Sequence, residues 1–279
     1  MPRDDTRTRV LAVAVAFLLV ATAVGPAVVA SRPAYEIPVH EVDDGQQFEN
    51  PTSDAWLDTE SVEVSMAGAP SGAPNAKDVT VTTTHVRVVR TDAKLYVRMR
   101  WKDPTMNRTA DDPGEFPDKA AIELPVNESA RPPISMGSRS NPVNVWVWSA
   151  SDGAEELVAG GPGTTTYMAN TSIETNATYA DGHWQVVFER TLTATGANRT
   201  DITLEHDLNV AFAVWDGGNG ERGGHKAVSE WYYLPFEADG GPPYETILWL
   251  IASAAVLVVT VVTVEGVRRT RGGNGGDTK

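Results

Sequence analysis

The chain has 279 residues, a formal net charge of −14 and no cysteine. The missing thiols exclude disulfides, iron–sulfur clusters, thiolate zinc sites and covalent c-type haem attachment, and the acidic balance argues against a nucleic-acid partner, whose phosphates it repels. Basic residues are mostly arginine, 17 against six lysines, an acid-rich and lysine-poor balance that suits a halophile, an organism living in high salt.

Arg3, Arg7 and Arg9 precede an apolar stretch from Val10 to Ala30 that ends on small residues. A charged start, an apolar middle and a small-residue exit predict a secretory signal over residues 1–30, cleaved after Ala30; an uncleaved anchor is the alternative reading. Residues 31–240 then suffice for one β domain with a sizeable core.

Period-two alternation runs through this middle region. In Ala93–Trp101, Leu95, Val97, Met99 and Trp101 share one face, while Tyr96, Arg98 and Arg100 share the other, the pattern of a half-buried strand. His183–Arg190 and the stretch Val210–Trp215 alternate in the same way, and further strands are predicted at Val79–Arg90, Ala120–Val126, Val143–Ser149 and Val228–Phe236. Clusters of Gly, Pro, Asn and Asp separate them, as turns require. Pro104–Pro117 and Ser151–Gly163 read as surface loops. With about seven to ten strands and no amphipathic helix of ten residues, the expected fold is all-β, an antiparallel β-sandwich of two sheets.

Hydrolytic machinery is hard to find: there is no G-x-S-x-G, no H-E-x-x-H, and the five histidines are scattered. Two segments stand out instead. The first is the Pro/Gly/Ser loop around Met136 (PPISMGS, from Pro132), followed by Trp146 and Trp148 on one face of a strand, a flat aromatic wall suited to a cofactor. The plainer alternative is a core methionine with core tryptophans. The second segment, Trp215–Trp231, has five glycines between Gly217 and Gly224, ahead of His225 and Lys226. Glycines let backbone pass close to a bulky group; the plainer alternative is a solvated hairpin loop, weakened by the two flanking tryptophans.

After a short tether at Glu237–Pro243, the run from Ile247 to Val264 is apolar over 18 residues. At ~1.5 Å per residue it covers most of a ~30 Å hydrocarbon layer, so a transmembrane helix is predicted over 245–266. Tyr244 and Trp249 fall at its outer interface. Arg268, Arg269 and Arg271 place the tail, 267–279, in the cytoplasm. The central domain is then extracytoplasmic, single-pass on the cell membrane. Sequons at Asn107, Asn127, Asn170, Asn176 and Asn198 agree with an outside location.

The order of motifs resembles a known family. Phe116–Pro125 (FPDKAAIELP), the P-x-x-M-G loop ending at Gly137, P-V-N-x-W-x-W at 142–148, G-x-W-x-V-x-x-x-R at Gly182–Arg190, and V-A-F-A-V-W-D-G with E-R-G-G-x-K-x-V-S-x-W at Val210–Trp231 resemble the haem-binding gamma subunits of ethylbenzene dehydrogenase, dimethyl sulfide dehydrogenase, selenate reductase and chlorate reductase. The likeness spans roughly Trp56–Phe236. It implies two sheets forming a sandwich around one non-covalent haem b, with iron held by a Met and a Lys, which fall on Met136 and Lys226. It also implies a non-catalytic role in electron transfer. The implied partners are a molybdopterin catalytic subunit, an iron–sulfur subunit and a membrane cytochrome b or Rieske-type protein; a respiratory nitrate reductase complex is one host. Family members of this kind are usually soluble, so the C-terminal helix is a departure.

The donor types fit that role. A thioether is a soft neutral ligand that raises the potential, and lysine binds only as the neutral amine, so its pKa must fall from about 10.4. Iron ligated on both faces has no open position for substrate. His225 is a rival ligand, although on a strand it points away from its neighbour Lys226. A reading from another class is a membrane-anchored surface β-sandwich that binds glycan or a cell-envelope protein.

Overall fold

The computed structural model describes residues 34–127 and 131–236, with seven helical positions between 249 and 264. The expected signal at 1–30, the tether at 237–243, most of the expected span at 245–266 and the basic tail lie outside the described residues. Among the described residues no helix is long and apolar enough to cross a membrane. Contacts divide the chain into two units. One is Met1–Thr203 with Leu208–Pro235, which carries the sheets; the other is Leu204–Asp207 with Phe236–Lys279, to which the helical positions belong.

The described residues form fourteen strands and three short 3-10 turns. In chain order the strands are β1 (Val39–Glu41), β2 (Val62–Ser65), β3 (Ala67–Gly68), β4 (Thr83–Arg90) and β5 (Lys94–Lys102). Next come β6 (Lys119–Pro125), β7 (Val143–Ser149), β8 (Gly153–Ala159), β9 (Thr166–Tyr167) and β10 (Ile173–Ala180). The last four are β11 (His183–Thr191), β12 (Leu208–Trp215), β13 (Ala227–Val228) and β14 (Tyr232–Leu234). One sheet has the order β1-β4-β5-β11-β10, with β2 also on β4; the other has the order β3-β13-β12-β6-β7-β8-β9, with β14 also on β12. Apart from the parallel pair β1–β4, every pairing between strands is antiparallel. The two-sheet, all-β expectation therefore describes the domain.

One expected loop is a strand. Ser151–Gly163 contains β8, paired along its length with β7. Its two glutamates suggest a solvated turn, but Glu156 is buried and accepts bonds from Arg199 Nε (2.9 Å), Ser172 N (2.8 Å) and Asn144 Nδ2 (3.1 Å). A fully hydrogen-bonded carboxylate can occupy a strand interior.

Alternation gives each sheet two faces. Leu95, Val97, Met99 and Trp101 on β5, with Trp184, Val186 and Phe188 beside them on β11, form the inner face of the first sheet. The second sheet answers with Ala120, Ile122, Trp146, Trp148, Phe212 and Val214. Trp148 meets Trp184 and Trp101 edge-on at 4.7 and 6.2 Å between ring centroids. Burying such side chains stabilises by roughly 1.5–3 kcal/mol each, so this inter-sheet layer is the main core. Each sheet also carries an apolar cluster on its outer face. Phe48 and Trp56 pack over Val89, Tyr96 and Val187 on the first; Ala121, Val145, Val147, Leu157, Ala211 and Ala213 form part of the second.

Candidate cofactor site

A cavity of about 670 Å³ lies on the outer face of the second sheet, within the usual range for small-molecule and cofactor sites. Its floor is set by register. Glu123 on β6 stands beside Val145 on β7 and Ala211 on β12, and the next row is Ala121, Val147 and Ala213. On these same strands the inner face carries Ile122, Trp146, Trp148 and Phe212, whereas three outer positions are alanine. Small side chains there leave open space between the sheet and the loops above it.

Two loops bring the sequence-predicted ligands over this floor. Met136 sits in the left-handed region at φ 68°, followed by Gly137 at φ 70°. A side chain there costs of order 1–2 kcal/mol, so the turn holds only because it is pinned. Gly137 N donates to Pro133 O (2.9 Å), Gly161 N donates to Met136 O (2.8 Å), and the Trp231 indole donates to Pro132 O (3.1 Å). A Cβ on Gly137 would meet Asn141 O at 2.8 Å. The glycine-rich segment is held as firmly: the Trp215 indole donates to Gly223 O (3.1 Å), and Ala69 N donates to Lys226 O (2.9 Å). Both flanking tryptophans are buried, so this segment is a fixed strap and not a free hairpin loop.

Lys226 Nζ lies 3.8 Å from Met136 Sδ, over the Trp215 ring at 4.6 Å from its centroid. First-row metal–sulfur and metal–nitrogen bonds of ~2.3 and ~2.0 Å, taken from zinc sites, sum to ~4.3 Å. The two donors are thus within a small adjustment of the separation at which they could both reach one metal ion. Burial lowers the Lys226 pKa, with the nearby Glu123 acting the other way. Burial pushes the Glu123 carboxyl up to about 8, against the pull of Lys226. Its Oε1 is buried without a hydrogen-bond partner.

The remaining sequence candidates fall elsewhere. Trp146 and Trp148 do not line the cavity: their strand positions point into the inter-sheet core, where Trp146 bonds Asn144 Oδ1 (3.1 Å) and lies under Arg190. The aromatic-wall reading is therefore corrected, because alternation on β7 sends Val145 and Val147 to the cavity and the tryptophans away from it. Nor does the sandwich enclose the cavity between its sheets, as the resemblance implied; indole packing fills that space. His225 turns away from Lys226, its Nε2 2.7 Å from Asp78 O. Two cavity groups were missed. Glu123 was hidden in an acid-rich chain where a single carboxylate carries no signal, and Trp215 was noted only as a flank. The P-x-x-M-G spacing and the lone lysine in the glycine segment were the usable signals.

Together these features define a β-sandwich with a ligand-sized cavity on the outer face of one sheet, flanked by a sulfur and a nitrogen donor. The chain belongs to the ethylbenzene dehydrogenase family, whose model matches residues 53–171 and 161–227. ORF7 of Haloferax mediterranei, which carries the name of a respiratory nitrate reductase heme subunit, is 50% identical over 275 residues, covering 98% of each chain. The dimethylsulfide dehydrogenase subunit gamma of Rhodovulum sulfidophilum is 30% identical over 75% of this chain and 84% of its own. The chlorate reductase subunit gamma of Ideonella dechloratans is 36% identical over 54% of this chain and 63% of its own. Among solved structures, a family 9 carbohydrate-binding module of Caldicellulosiruptor kristjanssonii covers 75% of this chain and all of its own at 13% identity, with a TM-score of 0.39, a likeness that bears no weight for function.

Proposed function

We propose that this protein is the b-haem electron-transfer subunit of an extracytoplasmic molybdenum oxidoreductase of the nitrate reductase kind, with Met136 and Lys226 as the axial ligands. The observation that carries the reading is the pair of donors, thioether and amine, 3.8 Å apart at a cavity of about 670 Å³. The names of three relatives, all heme or gamma subunits of oxidoreductases, support it. When bound, the haem supplies a one-electron couple at iron.

The protein's own groups set the conditions. Met136 is a neutral donor that needs no proton change. Lys226 must be unprotonated to ligate; its burial favours that form. Burial raises Glu123 to about 8, so its carboxyl gives up its proton reluctantly and is a weak counter-ion for Lys226. With Met136 and Lys226 both holding the haem iron, no position would remain open to substrate, which suits a subunit that relays electrons and does not catalyse. It passes them between an iron–sulfur subunit, beside the molybdopterin subunit, and a membrane cytochrome b or Rieske-type partner. A cleaved signal that directs export and one C-terminal helix that anchors the chain, both read from sequence, place it on the outer side of the cell membrane.

Purified full-length protein tests the reading. A b-type Soret band with low-spin ferrous bands is expected, altered or lost in Met136→Ala and Lys226→Ala while export continues. Wild-type spectra in both variants overturn the ligand assignment. A colourless, folded wild type overturns the haem itself and favours a surface-binding module.

A further inference from the structure

A second cluster lies apart from the cavity floor, where three strands end. Asp103 follows β5 of the first sheet, Asp118 precedes β6, and Asp216 follows β12 of the second. All three are buried, at 0%, 0% and 3% exposure, and each offers a carboxylate oxygen within 4.8 Å of the others. Oxygens this close together can share one ion at the ~2.3–2.6 Å of a calcium–oxygen bond.

Hydrogen bonding leaves part of this carboxylate capacity unused. Asp118 Oδ2 accepts Asn107 N (2.7 Å) and the Trp184 indole (2.9 Å), and its Oδ1 accepts Gly217 N (2.8 Å). Asp216 accepts the Thr80 hydroxyl at Oδ2 (2.6 Å) and Asn219 N at Oδ1 (3.2 Å). Asp103 Oδ1 accepts Thr105 N (2.9 Å) and the Thr105 hydroxyl (3.1 Å), but its Oδ2, on a wholly buried residue, accepts nothing. A buried, unpartnered carboxylate oxygen beside two further carboxylates lacks a cation or a proton.

Further oxygens crowd the same spot. A Cβ on Gly218 would stand 2.5 Å from Thr105 Oγ1 and 3.1 Å from both Asn107 Oδ1 and Asp216 Oδ1. Hard oxygen donors suit calcium, magnesium and manganese alike; the burial of all three carboxylates favours calcium, because magnesium usually keeps several of its waters.

We propose that Asp103, Asp118 and Asp216 bind one calcium-class divalent cation that ties the two sheets together at the root of the strap leading to Lys226. The ion neutralises three converging carboxylates and completes the coordination of Asp103. Without it the burden falls on protons: burial, and then the Asp118 and Asp216 charges against the Thr105 bonds, push Asp103 up to about 7.

Metal content and thermal melting of the full-length protein test this without reference to haem. One calcium per chain is expected. Chelation should lower Tm, and calcium at about a hundredfold over Kd should restore roughly 5–10 °C, with magnesium restoring much less. Asp103→Asn should hold no calcium and melt at a temperature indifferent to it, whereas Asp112→Asn, at an exposed loop carboxylate, should behave as wild type. The proposal is overturned by a wild type whose melting ignores calcium and falls only with rising pH through 7, the mark of a shared proton. It is overturned equally by Asp103→Asn keeping the full calcium response, which would assign the binding to the acidic surface.

Discussion

Both sheets are covered on their outer faces, and by opposite means. On the first, a short segment lays Phe48 and Trp56, edge-to-face at 5.0 Å, directly onto Val89, Tyr96 and Val187. On the second, pinned loops stand off a floor that includes Ala121, Ala211 and Ala213, and the gap holds Glu123 and Lys226. The first face shows ordinary closure by bulky apolar groups. The second retains a void, a left-handed methionine and a buried carboxylate with an unsatisfied oxygen, each of which costs stability. Such features persist together where a ligand uses them.

The sharpest way to break this contrast is to empty one face and fill the other. Trp56→Ala should cost about 3–5 kcal/mol in denaturant unfolding of the haem-free protein, since Trp56 is 0% exposed. Ala211→Leu should cost less than about 1 kcal/mol, because the added methylenes enter open volume and not a packed core, yet it should abolish haem uptake. Equal losses in the two variants would mean that the second face is as closed as the first.

A smaller effect separates the faces by pH. The Glu123 carboxyl is raised from the ordinary value to about 8 in the fold. The unfolded chain therefore ionises first, and the stability held below pH ~4.5 is lost as pH rises toward 8. The slope reaches at most about 1.4 kcal/mol per pH unit. In haem-free Glu123→Gln that share of the decline should be lost, and urea midpoints at pH 5 and pH 8 should move closer together. An unchanged slope would move the titration elsewhere, with Asp103 the next group to test.

The inner layer of this fold is legible because period-two alternation is a strong signal: the sequence puts Leu95, Val97, Met99 and Trp101 on one face, and all are buried. The donors Met136 and Lys226 were legible through motif order and through their odd surroundings of Pro, Gly and Ser. What the sequence concealed is which face of a doubly covered sheet holds the void. Trp146 and Trp148 advertise a ligand wall, but so large an apolar pair on one side of a strand is what an inter-sheet core needs. The informative residues were the alanines on the opposite side, which read as nothing in particular. Strand β8 was hidden for a related reason, since a glutamate such as Glu156 is buried only when long-range partners like Arg199 satisfy it, and local sequence does not reveal them.

The smallest expected effect bears on how far the second face is preset. Met136 lies at φ 68° with its carbonyl tied to Gly161 and the next amide tied to Pro133. If those ties fix the left-handed turn, Met136→Gly should leave the haem-free protein more stable than Met136→Ala by about 0.5–1 kcal/mol. Alanine bears the ~1–2 kcal/mol left-handed penalty, while glycine gives back part of its advantage through a freer unfolded chain. Denaturant midpoints of the two variants, neither carrying the thioether, isolate the backbone term. A more stable alanine variant would show the turn relaxing to negative φ once the side chain is gone. Sulfur placement would then come from the ligand and not from the loop. A more stable glycine variant means that the loop holds a strained residue type in place ahead of any ligand, which keeps the ordering cost out of the binding step.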